Sequence, residues 1–283
     1  AADIRTPMNV IMGFTNIALQ HADDSDKMKE CLEKIRVSGS NLRELIDDVL
    51  DISRIESGEF KIVSQPVKLS ELFDFYCQAI AGMAETKNIR FSGKLHDISH
   101  NVLLSDQIRL GQIYMNLLSN AVKYTPENGD VKFEVYEEKL AESGKVRLVS
   151  VVSDTGIGMS PEFLKHLFEP FAQANDDARS NYQGTGMGMP IVKALLKNMG
   201  GTISVKSELG RGTTFTVDLP FVINRTPEKA LEASTDAEEC DICGMSILLV
   251  EDNELNTEIA QTLLEHDGAL VTTAANGKEA LEL

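Results

Sequence analysis

Three glycine-bearing segments have the spacing of a ligand-binding backbone: Asp154-Thr-Gly156-Ile-Gly158, Gly184-Thr185-Gly186-Met-Gly188-Met189 and Gly210-Arg-Gly212-Thr213. Closely spaced glycines let main-chain N–H groups approach a ligand. The second segment runs directly into an apolar periodic stretch, 190–199, which predicts that its amides lie at a helix N-terminus. There the unpaired N–H groups and the helix dipole favour phosphate. No G-x-x-x-x-G-K-[ST] occurs, so the site is not a P-loop. The five histidines and four cysteines offer less. His96 and His100 have the i,i+4 spacing of a metal-binding helix but fall between two strand candidates, and are read as a solvated loop. His21, His166 and His266 are read as surface residues. Cys240 and Cys243 form a C-x-x-C without the second ligand pair that zinc needs, and no disulfide framework is expected, as in a reducing cytoplasm.

The elements that would position these loops follow from periodicity. Ile4, Met8, Ile11 and Ala18, flanked by Val10, Phe14 and Ile17, predict one amphipathic helix, interrupted at His21–Ser25. Met28, Leu32, Ile35, Leu42, Ile46 and Val49, widened by Leu45, Leu50 and Ile52, predict a second, with Gly58 as its stop. Two helices joined by a short acidic turn make an antiparallel hairpin. Its apolar stripes are too wide for one partner helix, which predicts pairing with a second copy in a four-helix bundle, a homodimer. After Gly58, Ser70 reads as a cap for a helix carrying Leu72, Tyr76, Ile80 and Met83. Ile89–Ser92 and Val102–Leu104 read as strands, Asp106–Tyr124 as a strongly periodic helix, Val131–Val135 as an alternating strand and Val146–Val152 as a buried one. The fold class is α+β: a helical hairpin, then an α/β sandwich with a mixed sheet.

Charge marks a further boundary. The chain has 283 residues and a net charge of −17, and residues 226–283 hold 2 basic and 14 acidic residues, −12 of that total. Thr226–Cys240 is poor in large apolar residues and reads as a linker. The expected division is hairpin 1–58, nucleotide-binding domain 59–224, acidic linker 225–244 and a last segment 245–283. Such a balance argues against nucleic acid, and no segment is apolar enough to cross a bilayer, so no direct membrane contact is expected and a cytoplasmic setting is.

The motifs together resemble one family. Asn116-Leu-Leu-Ser-Asn120-Ala-Val-Lys123-Tyr124 resembles the N box of sensor histidine kinases, Asp154–Gly158 their G1 box, Phe168-Glu-Pro-Phe171 their F box, and Gly184–Met189 and Gly210–Thr214 their G2 and G3 boxes, all in family order. Asp3-Ile-Arg-Thr6-Pro7 resembles the H box. Ile247-Leu-Leu-Val-Glu251-Asp252 resembles the first strand and acidic, Mg²⁺-holding pair of a receiver domain, so the chain resembles a hybrid kinase core. The resemblance implies ATP with Mg²⁺, homodimerisation through the hairpin and the aspartate of a receiver domain or response regulator as phosphoryl partner. Asn120 would be the metal ligand, with Asn116 one turn earlier supporting the metal's water shell. Lys123 would offer a cation to the phosphates and Tyr124 a wall for the base, while Asp154 would accept from the adenine amino group. Segment 172–183 would form the lid, with Arg179 steadying the transferring phosphate and Phe168 and Phe171 packing it. Singly, the asparagines are equally compatible with surface amides, Tyr124 with packing, Asp154 with a strand-end cap and Arg179 with a solvated charge. Their joint spacing points to the nucleotide.

One departure stands out. The position of the family's phosphoacceptor histidine is Ala2, whose methyl has no lone pair to take a phosphoryl group. Asp3, the would-be general base, and Thr6 remain in place without an imidazole to act on. His21 does not substitute, being 19 residues and about 28 Å away along a helix. The last segment likewise ends before the third strand that carries a receiver's acceptor aspartate. Two other readings remain: a degenerate ATP-binding dimer signalling without phosphotransfer, and a non-kinase ATPase of the same fold, against which the hairpin argues.

Overall fold

The computed structural model describes every residue except 1, 57–60, 141, 143, 173–185, 225–242 and 283, and leaves undescribed the side chains of residues 2, 3, 55, 56, 255 and 282. It divides into two compact units, residues 1–225 and 226–283. Helix α1 (Ala2–Gln20) and helix α2 (Ser25–Glu56) form the hairpin. The acidic turn between them caps α2, because the Asp24 carboxylate accepts from the Lys27 N–H. Cys31 and Leu45 are buried, and Ile11, Phe14, Ile17 and Ile35 half-buried, whereas Met8, Met12, Leu32, Ile46 and Leu50 remain exposed on the single chain. The expected stop at Gly58 lies outside the described residues.

The rest of the first unit is a sheet covered by helices: β1 (Gln65–Lys68), α3 (Leu69–Thr86), β2 (Arg90–His96), β3 (Val102–Ser105), α4 (Gln107–Tyr124), β4 (Asp130–Lys139), β5 (Lys145–Asp154), α5 (Pro161–His166), α6 (Gly188–Asn198), β6 (Thr202–Glu208) and β7 (Gly212–Ile223). The strands run in the order β1-β3-β7-β5-β4-β2, with β6 also on β7. All pairs are antiparallel except β2 with β4, so the sheet is mixed. Burial alternates residue by residue along β4, β5 and β7, as expected where one face of a sheet meets helices. That face carries Phe133, Leu148 and Leu219 against Ile80 of α3, Leu117 of α4 and Leu195 of α6.

Two sequence expectations are corrected. Ser70 is not the cap of α3: the helix begins at Leu69 with Lys68 as its N-cap residue, and Ser70 donates its own N–H to Asn101 Oδ1 at 2.9 Å. Asn101 serves two of the orphan donors of that first turn, since its carbonyl also accepts from Leu69 N. Nor are His96 and His100 a solvated loop. His96 ends β2, stacks on Tyr136 at 4.3 Å and is 2.9 Å from Glu134, while His100 is 2.7 Å from Glu137. Glu137 also accepts from the N–H groups of Ser99 and His100, bonds that together hold its carboxyl below the usual range against the opposing effect of burial. Each imidazole faces its own carboxylate on β4, so the two are engaged separately rather than as a pair.

The second unit has β8 (Ser246–Val250), α7 (Glu254–His266), β9 (Leu270–Ala274) and α8 (Gly277–Glu282), with β8 and β9 parallel. No helix among the described residues is long and apolar enough to cross a membrane.

Candidate nucleotide site

Helix α4 begins at Asp106, whose side chain accepts from Arg109 N at 3.1 Å and from Val63 N at 2.9 Å. Its apolar residues Leu110, Ile113, Tyr114, Leu117, Leu118, Ala121 and Val122 face the core, which turns Gln112, Asn116, Asn120 and Lys123 to the other side, a stripe at helical spacing. Asn116 is fixed on that stripe, donating through Nδ2 to the Gln112 carbonyl at 2.8 Å. A Cβ placed on Gly188, the first residue of α6, would fall 2.6 Å from Asn116 Oδ1, so the glycine lets the start of α6 approach this asparagine. Lys123 Nζ lies 5.2 Å from the Tyr124 ring centre. Burial lowers the Lys123 pKa, and the Glu44 carboxylate of α2 works against that fall.

Asp154 ends β5 beside these residues. Its Oδ1 accepts from Gly156 N at 2.8 Å and from Thr213 N at 3.2 Å, and Oδ2 has no hydrogen-bond partner among the described residues. Burial raises the Asp154 pKa, and the two N–H donors oppose that rise. The first and third glycine segments interlock here. Gly158 (φ +64°) passes against the Glu208 carbonyl and Gly212 (φ +99°) against that of Asp154, so a side chain at either would collide with main chain, and both adopt the left-handed region that glycine tolerates. Gly210 N donates to Ile157 O, and Ile157 N donates to Tyr124 O, tying both segments to the end of α4. Thr213 shares a 2.8 Å hydroxyl contact with Ser207. Gly186 completes the set from the other side, accepting from Phe171 N at 3.1 Å.

The structure thus brings the Asn116 and Lys123–Tyr124 turns of α4 together with Asp154, Gly156, Gly158 and Thr213, and sets Gly188 on Asn116; Asn120 lies between, on the same stripe. Phe168 packs against the core with Lys193 Nζ 5.1 Å from its ring, whereas Phe171 is exposed. Arg179, Gly184 and Thr185 lie outside the described residues. Ala2 and Asp3 belong to the first turn of α1 and Thr6 is exposed on it. In the second unit Glu251 follows β8 and accepts from Asn253 N and Asn256 Nδ2, while Asp252 is exposed. No group of three or more potential metal-ligating side chains occurs among the described residues. Sequence reasoning missed Asp51 of α2, whose Oδ2 accepts from Arg109 Nη1 at 3.0 Å and Gln112 Nε2 at 2.8 Å. It also missed Lys87, whose Nζ reaches the carbonyls of Val122, Lys123 and Thr125.

Two family models match the chain: the His Kinase A (phospho-acceptor) domain over residues 1–58, and the histidine kinase-, DNA gyrase B-, and HSP90-like ATPase over residues 105–223. The autoinducer 2 sensor kinase/phosphatase LuxQ of Vibrio vulnificus is 34% identical over 280 residues, covering 99% of this chain and 32% of that protein. The virulence sensor protein BvgS of Bordetella bronchiseptica is 33% identical over 287 residues, covering 99% of this chain and 23% of that protein. The chain therefore spans a third or less of these relatives. Among solved structures, full-length ShkA in complex with AMPPNP superposes with a TM-score of 0.60 at 25% identity, over 100% of this chain and 56% of that one.

Proposed function

The chain belongs to the histidine kinase family, its two matched domains covering more than half of its length, and on that premise we propose that it is the dimerisation and ATP-binding core of a hybrid sensor kinase in a two-component phosphorelay. The proposed division is hairpin 1–58, ATP-binding domain 59–224, linker 225–244 and the beginning of a receiver from 245. The observation that carries the nucleotide reading is Asp154. Its Oδ1 is engaged by two main-chain donors while Oδ2 is left to accept from an adenine amino group, a hydrogen bond that guanine, with a carbonyl there, does not donate. ShkA, similar over the whole chain, was solved with AMPPNP, an ATP analogue, which supports the same ligand class.

The donor set fits Mg²⁺ held mainly by the nucleotide's phosphates. Asn116 and Asn120 offer neutral amide oxygens rather than a carboxylate cage, as suits an ion that keeps several waters. Asn120 would contact the metal and Asn116 support its waters; when bound, Mg²⁺ neutralises phosphate charge. Lys123, its ammonium partly desolvated beside Tyr124, attracts the phosphates, and Tyr124 walls the base. The main-chain N–H groups of 186–188, leading into α6, would supply further donors to the phosphates, and Gly184, Thr185 and Arg179 keep the roles that the resemblance implies.

With histidine at position 2, the imidazole nitrogen forms a bond to the γ-phosphorus as its bond to the β–γ bridging oxygen breaks, ADP leaves, and Asp3 takes the imidazole proton. The phosphoryl group then passes to a receiver aspartate. Ala2 offers no nucleophile, so the chain binds ATP without labelling itself. A chain that had abandoned phosphotransfer would not be expected to keep Asp3, Arg5, Thr6 and Pro7 around a single missing histidine.

The exposed apolar residues of α1 and α2 support a four-helix dimer. Incubation with radiolabelled ATP tests the whole reading: the chain should take no acid-labile label and Ala2→His should acquire it. Label on the unaltered chain would mean that another histidine is the acceptor. Light scattering at tens of micromolar should give twice the chain mass, and a monomer would count against the bundle.

A further inference from the structure

We infer that Lys87 is a positioning residue of the nucleotide site, an ammonium that holds the last turn of α4 and, through it, the Asp154–Gly158 segment. The inference rests on the nucleotide reading above. A helix leaves its last four carbonyls without helical partners. In α4 all four are satisfied from outside the helical ladder. Ala121 O accepts from Thr125 Oγ1 at 2.6 Å, Val122 O from Lys87 Nζ at 3.0 Å, Lys123 O from Lys87 Nζ at 2.8 Å and Tyr124 O from Ile157 N at 3.2 Å. Lys87 Nζ takes a third carbonyl, Thr125 O, at 2.9 Å. An ammonium has three N–H donors and here meets three carbonyls, at the helix end where the dipole favours a cation.

The turn so held carries Lys123 and Tyr124, and its Tyr124 carbonyl is the acceptor for Ile157. That contact is close on both sides, since a Cβ on Gly156 would lie 2.5 Å from Tyr124 O. A shift in the last turn of α4 therefore moves Ile157 and, with it, the adjoining Gly156, one of the two N–H donors that orient Asp154. Lys87 itself is anchored. It is the C-cap residue of α3, its N–H bonds Ala84 O, and the neighbouring Asn88 carbonyl accepts from Asn128 N at 2.8 Å. The end of α3 thus fixes the end of α4 at a site that Lys87 does not line.

The test compares Lys87→Met, which keeps the stem and removes the donors, with Lys87→Arg, which keeps a cation. Val146→Ala, a buried change at the opposite end of β5 from Asp154, controls for general destabilisation. In the nucleotide-free chain, Lys87→Met should raise amide exchange at Ile157 and Gly158 at least tenfold. In calorimetry it should weaken ATP binding at least tenfold, with Lys87→Arg within about threefold of the unaltered chain and Val146→Ala within twofold. Should Lys87→Met not fold, Lys87→Gln supplies the same comparison, with an intermediate loss expected. Unchanged exchange and unchanged ATP affinity in the lysine variants overturn the proposal, as does an equal loss in Val146→Ala. An unaltered chain that binds no ATP would overturn the nucleotide reading and this proposal together, whereas intact binding in both lysine variants overturns this proposal alone.

Discussion

The amide oxygen of Asn116 lies so close to Gly188 that a Cβ there would fall 2.6 Å from it, so the first turn of α6 meets the polar stripe of α4 with no space between them for a methyl group. Asn116 cannot yield without cost, because its other amide atom is committed to the Gln112 carbonyl. Gly188→Ala should therefore rotate Asn116 away from the site. Alanine's helix preference over glycine, about 1 kcal/mol in a helix interior and less at this first helical position, offsets part of the crowding. The expected outcome is ATP affinity down roughly tenfold, about 1.4 kcal/mol, with the melting temperature nearly unchanged. A variant that loses stability but keeps its affinity would show that the contact serves packing alone.

Asp154 sets a pH dependence of definite sign. Its pKa is raised in the folded chain by burial, so the folded state takes up this proton at a higher pH than the unfolded state does. As the pH falls through that raised value, protonation relieves the desolvated charge and the fold gains stability relative to neutral pH. Over the same interval the adenine amino group loses its acceptor, so ATP binding weakens. Asp154→Asn should abolish both effects: its Oδ1 still serves Gly156 and Thr213, but an amide nitrogen then faces the adenine amino group. The variant should be no less stable at neutral pH and should bind ATP at least tenfold more weakly, about 1.4 kcal/mol. Calorimetry from neutral pH down to the ordinary carboxylate value of about 4 would refute the assignment if the unaltered chain and the variant showed the same slope.

Much of this was legible from periodicity, because the signals are local. The four-three spacing in 28–49 and the alternation at Val131–Val135 each reflect one face of one element meeting the core, so α2 and β4 could be read without their neighbours. The glycine segments were legible as loops, but not the reason for Gly158 and Gly212, which is the close passage of Glu208 and Asp154 main chain from other segments. Caps supplied from a distance left no local trace. Ser70 has the composition of a cap, yet the acceptor for its N–H is Asn101, 31 residues on, and the carbonyls of α4 find their cation at Lys87, 35 residues before Val122. The spacing of His96 and His100 suggested a pair, whereas each is engaged separately by Glu134 and Glu137 on a strand that pairing alone brings near.

The hairpin reaches the nucleotide helix through Asp51. One carboxylate oxygen takes both Arg109 Nη1 and Gln112 Nε2, with the Asp51 side chain 15% and the Arg109 side chain 22% exposed, so the ion pair is only partly screened by water. Ile52, the next residue, packs against the core of the ATP-binding part, and α2 also lies against α6. Removing the carboxylate strands an amide donor and a guanidinium that retains Gln112 Oε1 as a partner, a loss of about 1–3 kcal/mol in the docking of α2 on α4. Asp51→Asn keeps one acceptor and should lose less than Asp51→Ala. Because Gln112 supplies the carbonyl that fixes Asn116, the loosening should spread one turn along α4. Hydrogen exchange should accordingly rise from Arg109 to Asn116 in the order unaltered, Asn, Ala, with the Lys123–Thr125 end, held by Lys87, unaffected. Equal protection in all three chains would mean that Ile52 and the α2–α6 contact hold the hairpin in place without Asp51.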